Sequence, residues 1–131
     1  MRAYLAGPIN GCTDEEARGW REELKMRLAG SGIEWLDPMV RDYRGKEDQS
    51  VDAIVHGDVA DMRDSDVIVV NASRPSWGTA MEVVYARQLG KRILVWCPGS
   101  VSPWLRFHAT EVVSSIYELE SRLGHLAAVA A

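Results

Sequence analysis

The sequence predicts one three-layer α/β domain on a five-stranded parallel sheet, and three observations carry that prediction. Short apolar runs alternate with segments of helical period along the chain, the pattern of repeated strand–helix–strand units. One run, Asp66 to Asn71 (Asp-Val-Ile-Val-Val-Asn), is apolar without alternation, as a strand covered by helices on both faces must be. The length of 131 residues, with 47% hydrophobic and 26% charged, is about one ordinary globular domain. Surface scaling gives such a chain a folded area of roughly 6,900 Å² against about 21,000 Å² unfolded. A core of that size needs no disulfide or structural metal, and leaves no room for a separate substrate domain.

The elements follow in order. Arg2 to Ala6 is a short strand ending at Gly7-Pro8. Thr13-x-x-Glu16 fits a capping box, in which each side chain satisfies the other's free backbone N–H, so a helix starts at Thr13. Ala17, Trp20, Leu24 and Leu28 continue it at helical spacing, and Gly30-Ser31-Gly32 ends it. Ile33 to Leu36 is a second strand, stopped by Asp37-Pro38. Residues 39–50 are polar and irregular around Tyr43-Arg44-Gly45, and a second helix covers about 50–63. After the strand 66–71, a third helix runs from Trp77 to Leu89 and ends at Gly90. Arg92 to Cys97 is the fourth strand. A loop with Pro98, Gly99 and Pro103 leads into a short helical piece, then Val112 and Val113 form the fifth strand. The last helix starts near Ser115 and is expected to fray over Ala127 to Ala131. A flavodoxin-like, Rossmann-like strand order fits this alternation, and such sheets bind ligands at the carboxyl ends of their strands.

Charge narrows the partners. Fifteen basic and 19 acidic residues leave a net charge of −4, which opposes a nucleic-acid polymer but not a small anion held by a few local groups. No apolar run approaches the roughly 20 residues of a membrane span. Met1 to Ile9 is too short and too polar-flanked for a signal peptide. Cys12 and Cys97 have neither metal spacing nor a disulfide pattern. A cytoplasmic setting without metal or cofactor is expected.

The strand-end loops hold the unusual residues. Gly7-Pro8-Ile9-Asn10-Gly11 is either a tight turn or a set of backbone N–H groups open to a phosphate or sugar; it is neither a dinucleotide fingerprint nor a Walker loop. Cys12 and Arg18 have the spacing of a phosphatase loop. The intervening Asp14, Glu15 and Glu16 would repel phosphate and suit a helix start instead. In the second helix, Val51, Ile54, Val55, Val59 and Met62 mark an apolar stripe interrupted by Asp58. A carboxylate there is either paired with an arginine or a helix cap, or serves as an acid or ligand acceptor. Ser76 is placed as the N-cap of the third helix, whose free N–H groups suit an anion. Glu82 leans back over Gly78, where the missing side chain lets a ligand approach, and the positive helix end is expected to favour its carboxylate form. The competing reading is an ordinary surface glutamate. Tyr4, inside the first strand, is a core residue or a site residue. Trp77, Trp96 and Trp104 can stack on a base or fill the core.

Several of these segments together resemble the nucleoside 2-deoxyribosyltransferase family: Tyr4-Leu-Ala-Gly-Pro-Ile9, Tyr43-Arg44-Gly45, Asp58 followed by Asp66-Val-Ile-Val-Val, and Gly78-Thr-Ala-Met-Glu82-Val-Val-Tyr-Ala-x-x-x-Gly-Lys91. The resemblance covers residues 1 to about 115. It implies a flavodoxin-like fold and cleavage of the N-glycosidic bond of nucleosides or nucleotides. Glu82 then matches the nucleophile, Asp58 an aspartate that binds sugar or protonates the leaving base, and Tyr4 a tyrosine that positions the nucleophile. Gly7, Ile9, Asn10, Asp42, Arg44 and Gly78 fall at or near substrate-contacting positions. Ser76 stands where the transferases usually carry aspartate, and resembles instead the related nucleoside 5′-monophosphate N-glycosidases. Those enzymes often place serine and arginine where this chain has Pro8 and Asn10, so Arg74 or Arg44 would supply the positive charge. Ser102 aligns with a segment that reaches into a neighbouring subunit's site, which implies a homodimer or higher homo-oligomer. Two alternatives share parts of the pattern. A cytokinin-activating-type phosphoribohydrolase also uses Gly-Thr-x-x-Glu, but its preceding glycine-rich run is missing here. The other is a non-catalytic nucleotide-binding module.

Overall fold

A computed structural model describes residues 1–131. Five strands form one sheet: β1 (Arg2–Ala6), β2 (Glu34–Leu36), β3 (Val67–Asn71), β4 (Arg92–Trp96) and β5 (Glu111–Val113). Their order is β2-β1-β3-β4-β5 and every pair is parallel, the arrangement expected of a flavodoxin-like sheet. Every residue of β3 is buried, which is why Val67 to Val70 are apolar without alternation; Asn71, at its end, is the polar exception.

The pleat of β1 sorts its side chains between two helical layers. Ala3 and Leu5 pack with Trp20 and Leu24 of α1 (Trp20–Arg27) and with Leu119 and Leu123 of α5 (Ile116–Ala130). Tyr4 and Ala6 face the other way, onto Met62 of α2 (Val51–Asp64) and Val83 and Ala86 of α3 (Trp77–Gln88). Tyr4 thus reaches the α2–α3 layer from the sheet's second-innermost position, between Leu36 and Ile68. A short helix α4 (Pro103–His108) links β4 to β5.

Local signals act as the sequence predicts at most termini. The capping box forms in both directions: Thr13 N–H donates to Glu16 at 2.9 Å, and Glu16 N–H to the Thr13 hydroxyl at 3.2 Å. Three expectations change. The first helix opens with a π-helical turn, Glu15–Gly19, before α1 proper. The stripe on α2 is not wholly core-facing: Val51 and Val55 are 59% and 52% exposed, and only Met62 is buried on that helix. Val59 and Met62, in its C-terminal half, are the α2 side chains that join the core against the sheet. The C-terminal helix does not fray at Ala127 but continues to Ala130, since Leu119, Leu123 and Ala127 bury one stripe against the sheet.

Candidate active site

The three candidate catalytic side chains meet beside β1, between α2 and α3. The Tyr4 hydroxyl donates a hydrogen bond to Glu82 Oε2. Asp58 is near enough for its charge to act on both of them. Tyr4 has no exposed surface, so it is a core residue whose hydroxyl nevertheless reaches Glu82. Burial raises its hydroxyl's pKa well above the ordinary value, and the neighbouring carboxylates Glu82 and Asp58 add to that. The phenol therefore stays protonated and keeps a proton to donate to Glu82.

Glu82 differs from the expectation in one respect. Desolvation pushes its carboxyl up to about 8, assisted by the charge of Asp58 and opposed by the Tyr4 hydrogen bond and the charge of Arg21. The helix start does not hold it ionised, because Glu82 lies six residues past the N-cap and the dipole fades within the first turn. Desolvation therefore favours the protonated form of the resting carboxyl.

The arginine partner that one reading of Asp58 requires is present. Arg41 pairs with Asp58 at 3.2 Å and with Asp61 at 2.8 Å, so Asp58 has its arginine partner while facing the site. Burial raises the Asp58 carboxyl, and the Arg41 pairing works against that rise. Arg41 was not foreseeable from spacing. It arrives from the turn Pro38–Arg41, which Asp37 caps by accepting the Met39 N–H at 2.8 Å.

Ser76 caps α3 as expected, accepting the Thr79 N–H at 3.3 Å. A Cβ added at Gly78 would meet nothing within 4 Å, so the approach over the helix start is open. Ser76 and Ser102 line a cavity of about 980 Å³, which lies on the α4 side of α3 and is not lined by Glu82, Tyr4 or Asp58. Its walls include Trp77, Trp104 and Thr79; Thr79 is 6% exposed and its buried hydroxyl has no partner. Ser102 caps α4 by accepting the Trp104 N–H at 3.2 Å. Trp96 packs partly buried against the core, 6.2 Å from the ring of Trp20, whereas Trp77 and Trp104 are 87% and 78% exposed.

The other candidates are placed differently. Gly7 is a packing glycine: a Cβ there would lie 2.7 Å from the Trp20 ring and 3.2 Å from Asn71. Ile9 packs on a small cluster of Cys12, Ala17 and Met39, and Asn10 is exposed at the turn. The Arg44 guanidinium is held by Asp42 at 2.7 Å, by Asp14, and by the Cys12 carbonyl at 3.1 Å. Its hydrogen bonds, with the charge of Arg18, hold the Asp42 carboxyl well below the usual range. Arg44 is thus not a free cation for a phosphate. Arg74 lines the cavity beside Ser76 and is paired with Glu16 at 2.7 Å.

Comparison with known proteins follows the same lines. The family model described as nucleoside 2-deoxyribosyltransferase matches residues 3–107. A mouse (Mus musculus) 5-hydroxymethyl-dUMP N-hydrolase is 32% identical over 93 residues, covering 70% of this chain and 54% of its own, so the chain spans about half the length of that relative. A solved 2-deoxyribosyltransferase from Bacillus psychrosaccharolyticus superposes with a TM-score of 0.75 at 15% identity, over 92% of this chain and 90% of the other. A Clostridium botulinum CMP N-glycosidase gives 0.64 at 18% identity, over 94% and 98%.

Proposed function

The chain belongs to the nucleoside 2-deoxyribosyltransferase family, and from that premise we propose that it cleaves the N-glycosidic bond of a (deoxy)nucleoside or, in preference, its 5′-monophosphate. One observation carries the reading: a buried tyrosine hydroxyl donates to a half-buried glutamate that opens over a glycine at a helix start. In this mechanism ionised Glu82 attacks the anomeric carbon, the C1′–N bond breaks, and the electron pair leaves with the base. Asp58, raised by burial, supplies the proton the departing base needs. Water then hydrolyses the glycosyl ester, or a second base takes the sugar. Tyr4 holds Glu82 through Oε2 and stabilises its charged form.

The preference for a monophosphate rests on Ser76. A serine N-cap leaves neutral donors at the start of α3, where an aspartate would repel a 5′-phosphate. Two of the similar proteins are named for monophosphates, dUMP and CMP. Arg74 is the nearest guanidinium along that wall and would exchange Glu16 for the ligand. We also infer a homodimer whose partner covers the exposed Trp77, Met81, Trp104 and Phe107 and brings residues 98–108 to the neighbouring site. No helix is long and apolar enough to cross a membrane, and a cytoplasmic role in nucleotide metabolism suits a chain with two free cysteines.

The test is incubation with a panel of nucleosides and 5′-monophosphates, with and without an acceptor base, scored for free base by chromatography. Base release, faster from monophosphates, is expected. Tight nucleotide binding in a calorimeter with no release from any member would instead establish a binding module.

A further inference from the structure

The mechanism above uses no residue of α1, yet the most deeply buried charge in the molecule lies there. The Arg21 side chain has no exposed surface. Its Nη2 donates to the carbonyls of Leu5 at 3.2 Å and Gly7 at 3.3 Å, and its Nη1 to that of Ala17. Its guanidinium carbon stands 4.7 Å from the centroid of the Trp20 ring, whose edge fills the space a Gly7 side chain would take. Arg21 therefore grips the carboxyl end of β1 on both sides of Ala6, two residues beyond Tyr4.

Its charge is only partly compensated. Nε lies 3.5 Å from Asp37 Oδ1 and has no hydrogen-bond acceptor. Asp37 is already shared: Lys25 binds Oδ2 at 2.6 Å, and the Met39 N–H binds Oδ1 at 2.8 Å. A guanidinium stays protonated even where burial lowers its pKa, as it does here. Unneutralised positive charge thus remains next to the strand end that carries Tyr4.

We propose that Arg21 is a positioning residue for Glu82: it anchors the end of β1 that presents the Tyr4 hydroxyl to Glu82, and places a buried guanidinium at that strand end. The groups acting on Glu82 come from three elements. Asp58 on α2 opposes ionisation, as burial does; Tyr4 on β1 and Arg21 on α1 favour it. Arg41 and Asp61 act on Asp58 and reach Glu82 through it. Without Arg21 only the Tyr4 hydrogen bond is left to favour the charged nucleophile.

This inference rests on Glu82 being the nucleophile only for its kinetic consequence, so the test has two arms. In the first, the protein carries ¹³C-labelled glutamate. The Glu82 δ-carbon, identified by its loss in Glu82→Gln, is titrated by NMR in the wild type, Arg21→Gln and Arg21→Lys. Arg21→Gln is expected to raise the midpoint by about one unit, and Arg21→Lys, which restores the charge, to leave it within a few tenths. In the second arm, Arg21→Gln should lose about tenfold in base release at pH 7 and recover at high pH, since one pK unit is tenfold in the charged fraction. Arg21→Lys should lose kcat, through the missing fork to two carbonyls, without a shifted pH profile. An unchanged midpoint in folded Arg21→Gln overturns the proposal. So does an upward shift in Arg21→Lys, which also decides the matter if circular dichroism shows that Arg21→Gln does not fold. A shifted midpoint in a protein whose wild type releases no base would sink the glycosidase reading and leave the Arg21–Glu82 coupling standing.

Discussion

On one side of α3, facing α2, lie Tyr4, Asp58 and Glu82, with titratable groups stacked in a buried space and their pKa values pushed upward. On the other side, facing α4, lies a cavity of about 980 Å³ walled by tryptophans, serines and a buried, unpartnered threonine hydroxyl. One helix serves both, and its residues divide by angle: Gly78, Glu82 and Tyr85, which bonds Arg63 of α2, face one way, and Ser76, Ala80 and Val84 line the cavity. On the proposed function, the difference is a division of labour. Bond cleavage needs charge that is costly to bury and therefore tightly partnered. Recognition of a substrate needs room and a few neutral donors. A 5′-phosphate at the Ser76 end of α3 would bridge the two, with the sugar crossing the helix start over Gly78.

The largest effect is expected from breaking the charged side. Glu82→Gln keeps the size of the side chain and its contact with Tyr4, but removes the nucleophile. Base release should fall on the order of 10³-fold or more, with unchanged far-ultraviolet circular dichroism. A variant within about tenfold of wild type would return Glu82 to the status of a surface glutamate on a good helix. The wild type adds a second check. Because Glu82 acts as the anion and Asp58 as the acid, kcat/KM should trace a bell in pH bounded by the ionisations of these two carboxyls, with Glu82 at about 8. A profile without a descending limb would mean that Asp58 is not the group that protonates the base.

The two sides were unequally legible in the sequence. Two of the candidate residues stand out because each breaks a local rule: a carboxylate interrupts the α2 stripe, and a glutamate follows a glycine by four on α3. The element order was legible because apolar runs and Gly or Pro breaks report local geometry. Partners were not legible, since pairing is long-range. Arg41 meets Asp58 across 17 residues, and Tyr4 meets Glu82 across 78. Arg44 was a candidate for phosphate until folding delivered Asp14 and Asp42 to it. Arg21 did leave a signal. It sits four residues after Ala17 and three before Leu24, on the buried stripe of α1, where a charge is as anomalous as Asp58 is on α2. The exposed Val51 and Val55 were illegible for a different reason: an apolar period says that a face is to be covered, but not by what.

Breaking the neutral side should cost less and be selective. Ser76→Asp is a clean probe, because aspartate caps a helix about as well as serine and the fold is left alone. At about 8 Å and an effective dielectric near 20, each negative charge of the phosphate is repelled by about 2 kcal/mol, so kcat/KM should fall at least roughly 30-fold for a monophosphate. A nucleoside, with no phosphate, should lose only a few-fold. Equal losses on the two substrate classes would remove the phosphate from this end of α3, and with it the reason for preferring a monophosphate.

The smallest change tests the link between the two sides. Gly78 occupies the second position of α3, where alanine is the better helix former by up to about 1 kcal/mol. Nothing lies within 4 Å of the added methyl in the free protein. Gly78→Ala should therefore raise the melting temperature by a few degrees. If the sugar crosses the helix start to reach Glu82, that same methyl occupies its path, and KM should rise on the order of tenfold while the folded state gains stability. Opposite signs on stability and on KM are the signature of a glycine kept for a ligand's approach. A variant that is both more stable and equally active would show instead that substrate reaches Glu82 from the α2 side, and that the cavity beyond α3 has no part in the reaction.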